Sequence, residues 1–250
     1  MKPKARPKRL DLLLTQRGLA ESPEKARAII LAGEVLVNGQ RLEKAGMSVA
    51  EDARIEVSSR SQKYVSRGGV KLEGALHSFA IAPSGCVCLD IGSSTGGFSD
   101  CLLQHGAARI YAVDVNVDQL DWKLQQDPRV IRIRRNAREL HPDDIPELVD
   151  LVVADVSFIS VCKVIPPAFA IAKPGAHFLI LIKPQFELPK ENVGPGGIVK
   201  SRELHQKAIS KVRESVKSAS LEYLEVRPSC LLGAEGNQEY FLHARKKLME

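Results

Sequence analysis

From residue 86 onward, short apolar runs of strand length alternate with stretches of helical periodicity. The apolar runs are CVCLDI, RIYAVDV, RVIRI, VDLVVADV, HFLILIK, LEYLEVR and EYFLHAR, and the longest helical stretch lies near residues 201–218. This alternation predicts βαβ units, in which a parallel sheet carries helices on both faces. Ligands of such α/β sheets bind at the carboxyl ends of the strands, so the polar residues found there are candidate site residues.

The pattern before residue 58 is different, because two helical stretches precede short strands. Leucines at helical spacing in RLDLLLTQR predict one helix. SPEKARAIILAG predicts a second helix, with Ser22 as N-cap, Pro23 at the first helical position and Gly33 as the stop signal. EVLVNGQRL alternates around Asn38-Gly39, a strong hairpin signal, and ARIEV supplies another strand. These elements predict a small α+β domain.

A polar stretch, SSRSQ, separates the two patterns and predicts a linker. We therefore place one domain at residues 1–60 and a larger α/β domain at residues 61–250. The net charge of +6 lies in the first part of the chain: residues 1–71 hold 15 Lys and Arg against 8 Asp and Glu, whereas residues 72–250 hold 21 against 22. A basic head on a nearly neutral body indicates a module that docks on a polyanion, with a solvated basic face as the alternative.

Cysteine usage and hydropathy narrow the class of protein. The five cysteines include no CxxC pair, and an odd number does not form a closed disulfide framework. No His or Cys spacing resembles a zinc site, so we expect no metal. The start MKPKARPKRLD leads into an amphipathic pattern rather than the apolar core of a signal peptide, and no uncharged apolar stretch approaches a membrane span. We expect a cytoplasmic protein with no membrane association.

The sequence DIGSSTGGFSD at residues 90–100 has the form of a glycine-rich, ligand-binding turn. A phosphate-binding P-loop requires Gly-Lys-Ser/Thr at its end, whereas this chain has Gly96-Gly97-Phe98 and no lysine. A dinucleotide-binding loop has the spacing GxGxxG, which Gly92, Gly96 and Gly97 do not keep. By itself the loop does not identify its ligand.

LDIGSSTGGF, followed about twenty residues later by Asp114 at the end of the second strand, resembles the first two motifs of class I S-adenosylmethionine-dependent methyltransferases. The resemblance implies a Rossmann-like sheet and S-adenosyl-L-methionine as cofactor. Gly92 would let the backbone approach the ligand, the following helix N-terminus would receive its carboxylate, and Asp114 would accept hydrogen bonds from ribose hydroxyls. Asn136 would meet the adenine edge, although turn stabilisation is the alternative for Asn136 and Asp90. The candidate cofactor-binding residues are Asp90, Gly92, Ser94, Gly96, Gly97, Asp114 and Asn136.

Four ionisable residues are predicted at strand ends or at turns that lead into an element: Lys71 in SRGGVKLE, Asp155 in VVADVSF, Lys183 in LILIKPQF and Glu239 in GNQEYF. Asp155 and Lys183 each end an apolar strand, where a charge is costly unless it is paired or lies in a cleft. We expect both to point into one crevice, with a structural ion pair as the alternative. Phe158, at the edge of the same apolar run, is interpreted as a core residue in preference to one that stacks on a displaced base.

The order Lys-Asp-Lys-Glu resembles the catalytic tetrad of FtsJ-type ribose 2′-O-methyltransferases. Together YVSRGGVKLE, DIGSSTGGFSDCLL, YAVDV, DPRV, ADVSFIS, LIKPQFE, VGPGGIV and GAEGNQEYF are similar to the TlyA, or haemolysin-A-like, family. The stretch from RLDLLL to ARIEV resembles an S4 RNA-binding domain. The resemblance implies an enzyme that methylates cytidine riboses of ribosomal RNA, with ribosomal subunits as partner. The candidate RNA-binding residues are Arg9, Lys25, Arg27 and Arg67.

The chemistry that this resemblance implies is an in-line displacement that needs no metal. A free lysine has a pKa of about 10.4, so a lysine base requires surroundings that disfavour its charge, such as a second lysine and a sulfonium. We assign Lys183 as the base for the 2′-hydroxyl proton, Asp155 as its orienting partner, and Lys71 with Glu239 as the pair that steers the ribose.

Three other functions compete with this hypothesis. An RNA-binding or ribosome-assembly factor would have an inactive methyltransferase fold, although such a protein needs neither the tetrad nor the loop. A haemolysin would need a spanning helix or long amphipathic strands, which the sequence does not suggest. A nicotinamide oxidoreductase is disfavoured by the glycine spacing.

Overall fold

The computed structural model describes residues 7–31, 33–57, 63–233 and 236–248. The chain divides into two compact units, an N-terminal unit at Met1–Ser61 and a C-terminal unit at Gln62–Glu250. The predicted linker SSRSQ, the first six residues of the basic head, and Ala234 and Glu235 of the GAEGNQEYF motif lie outside the described residues.

The N-terminal unit combines two helices with short strands. In chain order it contains β1 (Pro7–Arg9), α1 (Leu10–Gln16), α2 (Pro23–Leu31), β2 (Val35–Val37), β3 (Gln40–Arg41), β4 (Ser48–Ala50) and β5 (Ile55–Val57). Strand β2 lies between β3 and β5 in a three-stranded antiparallel sheet, and β1 pairs with β4. The leucines of α1 pack against Ala26 and Ile30 of α2 and Val35 of β2 to form the core.

Turn and capping signals of the N-terminal unit are confirmed. Ser22 Oγ accepts a hydrogen bond from the backbone N–H of Lys25 at the start of α2 (3.2 Å). Asn38 and Gly39 both have positive φ, +51° and +80°, which is the backbone that a tight hairpin turn requires. The pairing of β1 with β4 was not predicted, because three-residue strands carry too little hydrophobic alternation to be recognised.

The C-terminal unit is an α/β sandwich. In chain order it contains α3 (Arg67–Ser78), β6 (Val87–Ile91), α4 (Gly97–Gln104), β7 (Arg109–Asp114), α5 (Trp122–Gln125), β8 (Val130–Arg134), β9 (Val149–Ala154), α6 (Ile165–Ile171), β10 (Ala172–Ile182), α7 (Pro184–Glu187), α8 (Arg202–Ser218), β11 (Leu221–Pro228) and β12 (Tyr240–Lys246). Every apolar run quoted above from this unit forms a strand, and the predicted long helix is α8.

Among the described residues the sheet has seven strands in the order β11-β12-β10-β9-β6-β7-β8. Strands β6 to β10 are parallel, as predicted, but β12 runs antiparallel to both β10 and β11. The prediction of a parallel sheet is therefore wrong for β12. The described residues between β11 and β12, 229–233 and 236–239, contain no helix, and neighbouring strands joined without a crossover pair antiparallel.

Alternate residues of each strand face two separate cores. On one face, Cys88, Leu151 and Leu179 pack with α3 and α4; on the other, Leu89 and Val152 pack with α6 and α8. Helices thus cover both faces, as predicted for this class. The carboxyl ends of β6, β7, β8, β9 and β10 meet at one edge of the sheet, where β12 begins. Within the described ranges, no helix has the length and apolar character needed to cross a membrane.

Candidate active site

The glycine loop joins the end of β6 to α4 and is tied to both neighbouring strands. The backbone N–H groups of Gly92 and Ser93 donate to Val113 O of β7 (2.9 and 3.2 Å), and Asp155 N–H donates to Ile91 O (2.9 Å). Gly92 has φ +83°, and a Cβ there would lie 2.3 Å from the backbone oxygen of Asp155. Only glycine allows this close approach, so Gly92 sets the distance between the loop and the end of β9.

Gly96 and Gly97 allow close packing around the start of α4. A Cβ on Gly96 would lie 2.2 Å from Leu124 Cδ1, and one on Gly97 would lie 2.1 Å from Ser66 Oγ. Gly96, at φ +95°, is the residue before the first turn of α4, and Gly97 is the first residue of the helix. The sequence assigned both glycines to cofactor binding; here Gly97 lines a cleft, whereas Gly96 packs against side chains of the following segment.

Two adjoining clefts lie beside the glycine loop. The larger cleft has a volume of about 380 Å³ and opens at the carboxyl ends of β6 to β9. This volume is within the range of small-molecule sites. Asp114 Oδ2 accepts from Ser94 N–H and Oδ1 accepts from Asn116 N–H, both at 3.0 Å. Each carboxylate oxygen keeps further acceptor capacity toward the cleft. The residues that line it include Gly92, Ser94, Asp114, Gln119, Arg135, Asn136, Asp155, Ser157 and Phe158.

Asn136 follows β8, as predicted, and its side chain forms a local hydrogen bond at the wall of the larger cleft. Its Oδ1 accepts from the backbone N–H of Arg138 at 3.2 Å and caps a short 3₁₀ turn. The turn-stabilising interpretation therefore holds for the side-chain oxygen. The residue still lines the larger cleft, so both interpretations of Asn136 remain compatible with its position.

Asp90 is fully buried beneath the glycine loop and lines neither cleft. Its Oδ2 accepts from Ser99 Oγ at 2.7 Å, whereas Oδ1 has no hydrogen-bond partner among the described residues. Burial raises the pKa of Asp90 to about 7, and the nearby carboxylates of Asp155 and Asp114 act in the same direction. Asp90 therefore supports the loop from below rather than lining a cleft.

A smaller cleft of about 120 Å³ adjoins the larger one and shares Gly92, Ser94 and Asp155 with it. Lys71 lines this cleft from α3, together with Gly97 and Phe98 from the start of α4. The sequence placed Lys71 at a strand end or turn, and this is wrong, because Lys71 lies inside a helix. The two glycines in SRGGVKLE hid that helix; a Cβ on Gly69 would lie 2.3 Å from the ring of Tyr64.

Lys71 and Glu239 form a buried ion pair. Lys71 Nζ lies 2.5 Å from Glu239 Oε2, and the two side chains are 10% and 3% exposed. Glu239 directly precedes β12, so the pair joins α3 to the reactive edge of the sheet. A charge pair this deeply buried carries a large desolvation cost, which a purely structural contact does not need.

Lys183 and Asp155 form a second ion pair, at the carboxyl ends of β10 and β9. Lys183 Nζ lies 2.5 Å from Asp155 Oδ1 and donates to Ser157 Oγ at 2.9 Å. The contact with Asp155 is a charge contact without hydrogen-bond geometry, so Oδ1 has no directed donor in the part of the chain described. Asp155 lines both clefts and Lys71 lines the smaller one. The smaller cleft is thus lined by one member of each pair, Asp155 and Lys71.

Phe158 lies at the mouth of the larger cleft, and the prediction of a core position is wrong. Its side chain is 89% exposed, and its backbone has φ +67°, a strained value for a phenylalanine. The ring of Phe186 lies 5.4 Å away, centroid to centroid. Sequence reasoning also missed Ser157, the hydrogen-bond partner of Lys183, because a serine at a strand end has no distinguishing pattern.

The predicted RNA-binding residues lie in both units. Arg9 and Arg27 of the N-terminal unit both bond to Asp11, whose side chain is fully buried, yet each guanidinium is about half exposed. Lys25 pairs with Glu21 on the surface. Arg67, exposed at the first turn of α3 in the C-terminal unit, donates to Leu232 O at 3.1 Å.

The described residues contain neither a disulfide bond nor a cluster of side chains arranged to hold a metal ion. All five cysteines are free thiols, and burial raises the pKa of Cys86 and Cys162. Within the described ranges, no group of three or more His, Cys, Asp or Glu side chains is arranged to hold a metal ion.

Two protein-family models match the chain. The FtsJ-like methyltransferase model matches residues 64–246, and the S4 domain model matches residues 8–55. The two matches fall within the C-terminal and the N-terminal unit, respectively. The two clefts and both ion pairs therefore belong to the FtsJ-like part of the chain.

Curated relatives are similar over nearly the whole length. The chain is 44% identical to the 16S/23S rRNA (cytidine-2′-O)-methyltransferase TlyA of Mycobacterium tuberculosis, over 96% of this chain and 91% of that protein. It is 40% identical to Hemolysin A of Brachyspira hyodysenteriae, over 94% of this chain and 98% of the relative. It is 33% identical to the 23S rRNA (cytidine-2′-O)-methyltransferase TlyA of Campylobacter jejuni, over 94% and 98%.

Solved structures extend the likeness to the fold. A candidate hemolysin of Streptococcus thermophilus superposes with a TM-score of 0.76 and 37% identity, covering 96% of this chain and 89% of that one. An S-adenosylmethionine-dependent methyltransferase of Mesorhizobium loti superposes with a TM-score of 0.52 and 15% identity, covering 69% and 96%. At that identity the second likeness concerns the fold alone.

Proposed function

Because this chain belongs to the TlyA family of FtsJ-like methyltransferases, we propose that it transfers a methyl group from S-adenosyl-L-methionine to the ribose 2′-hydroxyl of a cytidine in ribosomal RNA. One observation supports the proposal: the smaller cleft beside the glycine loop is lined by Asp155 and Lys71, and each of them is paired with a second ionisable residue, Lys183 and Glu239 respectively. A binding module has no use for two such pairs, one of them buried and one partly exposed, beside a cofactor-sized cleft.

The residues of the two clefts suit S-adenosyl-L-methionine. Asp114 offers free acceptor capacity for ribose hydroxyls, and Asn136 stands at the wall where an adenine edge would lie. The start of α4 at Gly97 suits a carboxylate in the smaller cleft. When bound, the cofactor supplies a methyl group already activated by its sulfonium, so the protein must position the acceptor oxygen and remove its proton.

Lys183 is the residue that we assign to this proton transfer. Its Nζ accepts the 2′-hydroxyl proton, while Asp155 and Ser157 hold the amine in place from two directions. Neither partner is deeply enclosed, because Asp155 lines both clefts and Ser157 lines the larger one. An incoming hydroxyl can therefore reach the amine from the cleft side. We assign the buried Lys71–Glu239 pair, of which Lys71 lines the smaller cleft, to steering the ribose.

Phe158 gives the target base a surface on which to stack. A ribose can enter the crevice only if its nucleotide leaves the RNA stack, and an aromatic face repays part of that cost at about 1–3 kcal/mol per base. An exposed, strained phenylalanine at the cleft mouth suits this role. Replacing Phe158 by Ala would then raise the KM for RNA more than the Kd for the cofactor.

The N-terminal unit would hold the RNA outside the crevice. Its match to the S4 model, and the concentration of positive charge in residues 1–71, support phosphate contacts in this unit. Ribosomal subunits are the partner that this assignment implies, and the cytoplasm is the compartment in which they occur. If about six phosphates are contacted, affinity falls by roughly a thousandfold between 50 and 200 mM salt.

Methyl transfer from labelled S-adenosyl-L-methionine tests the proposal. The purified protein is mixed with 30S subunits, 50S subunits and protein-free ribosomal RNA from cells that lack the corresponding gene. Label is expected in RNA from at least one of these substrates, at a stoichiometry near one per molecule. RNA binding without any label in all three would support an RNA-binding factor and refute the enzyme.

A further inference from the structure

Glu187, the last residue of α7, is a buried carboxylate that lines neither cleft. Its side chain is 1% exposed and lies 3.2 Å from the amine of Lys211 on α8. It also accepts two hydrogen bonds from one short stretch of chain: Ser160 Oγ donates to Oε2 at 2.5 Å, and the Val161 N–H donates to Oε1 at 2.7 Å. Glu187 therefore ties the stretch after β9 to the helix after β10.

The stretch that Glu187 ties down carries two residues of the proposed site. Ser157, three residues before Ser160, is the hydrogen-bond partner of Lys183, and Phe158 follows it with φ +67°. Such a backbone costs free energy in a non-glycine residue, so it persists only where the neighbouring chain is held on both sides. Asp155 N–H holds one side through Ile91 O, and Glu187 holds the other through Ser160 and Val161.

Both ends of the tie converge on the same amine. Glu187 belongs to α7, which begins directly after Lys183, and its two bonds reach the stretch that presents Ser157 to Lys183. A slip of this stretch would move Ser157 and Phe158 together relative to Lys183. A buried carboxylate with directed hydrogen bonds fixes such a register better than apolar contact, although burying its charge is costly.

We propose that Glu187 is a positioning residue for RNA methylation. It holds the stretch from Ser157 to Val161 so that Ser157 faces Lys183 and Phe158 faces the target nucleotide. The inference rests on the proposed function. Glu187 itself lines neither cleft, but the stretch that it holds forms one wall of the larger cleft. Its loss is therefore expected to lower the steps that need the nucleotide in place more than it weakens cofactor binding.

A double-mutant cycle between Glu187 and Phe158 tests this role. Glu187→Ala is expected to lower kcat/KM for RNA by about tenfold or more, since small misplacements near a reacting group have effects of this size. The Kd for S-adenosyl-L-methionine is expected to rise by a smaller factor than kcat/KM falls, because Gly92, Asp114 and Asn136 still form the other walls of the larger cleft. In the Phe158→Ala background the same substitution lowers kcat/KM by less than about threefold, because the aromatic that Glu187 positions is already gone. Equal losses in both backgrounds would overturn the proposal.

Two further variants separate positioning from general destabilisation. Glu187→Gln keeps one acceptor oxygen for the Val161 N–H and is expected to recover most of the activity; if it is as inactive as Glu187→Ala while fully folded, hydrogen-bonded positioning is refuted. Glu214→Ala removes an exposed carboxylate paired with Lys217 on α8 and serves as the matched control. Its kcat/KM is expected to stay within about twofold of wild type.

Hydrogen exchange keeps the test independent of the proposed reaction. Peptides that cover residues 156–163 are expected to exchange at least tenfold faster in Glu187→Ala than in wild type, while peptides of β6 and α4 do not change. Unchanged exchange at residues 156–163 would overturn the tie itself. If wild-type protein methylates no RNA but the exchange result holds, the proposed function has failed and the structural tie has not.

Discussion

Each unit contains a carboxylate held by basic side chains, and the two carboxylates differ in how many of their hydrogen-bond acceptor positions are occupied. Asp11 of the N-terminal unit is fully buried and accepts four hydrogen bonds, two from Arg9, one from Arg27 and one from the Leu12 N–H. Asp155 of the C-terminal unit lines two clefts and has one oxygen that contacts Lys183 without hydrogen-bond geometry.

This difference separates a structural carboxylate from one that lies at the proposed reaction site. Four donors occupy all the acceptor positions of Asp11, so no ligand can use it, and the arginine bonds lower its pKa to about 2. Asp155 lines both clefts, and its buried Oδ1 lies beside the Lys183 amine without a hydrogen-bond donor among the described residues. The outward sides of Arg9 and Arg27 remain half exposed, so holding Asp11 does not prevent them from contacting phosphate.

The largest expected effect comes from removing the amine at the reactive pair. Lys183→Ala is expected to lower methyl transfer by about a thousandfold, because general acid–base groups contribute about 10²–10⁴-fold. Lys173→Ala is the matched control. Lys173 lies at the start of β10, whereas Lys183 follows its end, and Lys173 pairs with Asp150 of β9 (2.7 Å). Its turnover is expected to stay within about twofold. Single-turnover rates at saturating cofactor measure both, and near-normal turnover by Lys183→Ala would remove Lys183 from the mechanism.

A second substitution compares the stability of the two kinds of pair. Lys71→Met leaves the buried Glu239 without its counter-ion, which costs about 3 kcal/mol. Arg27→Ala leaves Asp11 with Arg9 and the Leu12 N–H, so about 1 kcal/mol is expected. Native-state hydrogen exchange of α3 and of α1 reports the two losses separately. Equal losses of stability in the two variants would mean that Arg9 and the Leu12 N–H do not compensate for the loss of Arg27.

The sequence predicted the fold better than it predicted side-chain surroundings. Strong strand runs and the glycine loop placed β6 to β10 correctly, because each carries a pattern that only one element satisfies. The pattern of α3 was masked by Gly68 and Gly69, whose role in close packing depends on Tyr64 and Phe98. No sequence pattern distinguishes these packing glycines from flexible ones.

Site chemistry was partly predictable for a similar reason. Lys183 and Asp155 were recognisable because a charge at the end of an apolar strand is costly. Phe158 was misread, since an aromatic next to an apolar run is usually buried, and only the positive φ at that residue turns its ring outward. Asp11 was missed, because its importance comes from two arginines brought to it by folding.

Low pH is expected to weaken the N-terminal unit selectively. The pKa of Asp11 is lowered from 3.8 to about 2, so its contribution to stability is complete above about pH 4 and is lost as the pH falls through about 2. NMR signals from the methyl groups of Leu13 and Leu14 are expected to show unfolding of this core between pH 4 and 2. In Asp11→Asn this pH dependence disappears; its persistence would assign the transition to another group.

The stability of the C-terminal unit is expected to depend on the ionisation of Asp90, with a sign opposite to that of Asp11. Burial raises the pKa of Asp90 to about 7, so ionisation costs stability increasingly from about pH 4 to pH 7 and fully above it. Asp90→Asn keeps an acceptor for Ser99 Oγ without the charge. The Tm of the variant is expected to exceed that of wild type at pH 8 and to equal it near pH 4. A lower Tm at pH 8 would mean that the ionised carboxylate has a partner.

Alkaline hydrolysis of the methylated RNA tests the central claim most directly. Hydroxide cleaves RNA through the free 2′-oxygen, so a ribose methylated at that oxygen leaves an alkali-resistant dinucleotide that mass spectrometry identifies. RNA treated with wild-type protein is expected to yield a labelled resistant dinucleotide whose first residue is cytidine, and RNA treated with Lys183→Ala is expected to yield none. Label recovered entirely in single nucleotides, as a base methylation would give, would contradict ribose methylation by this crevice.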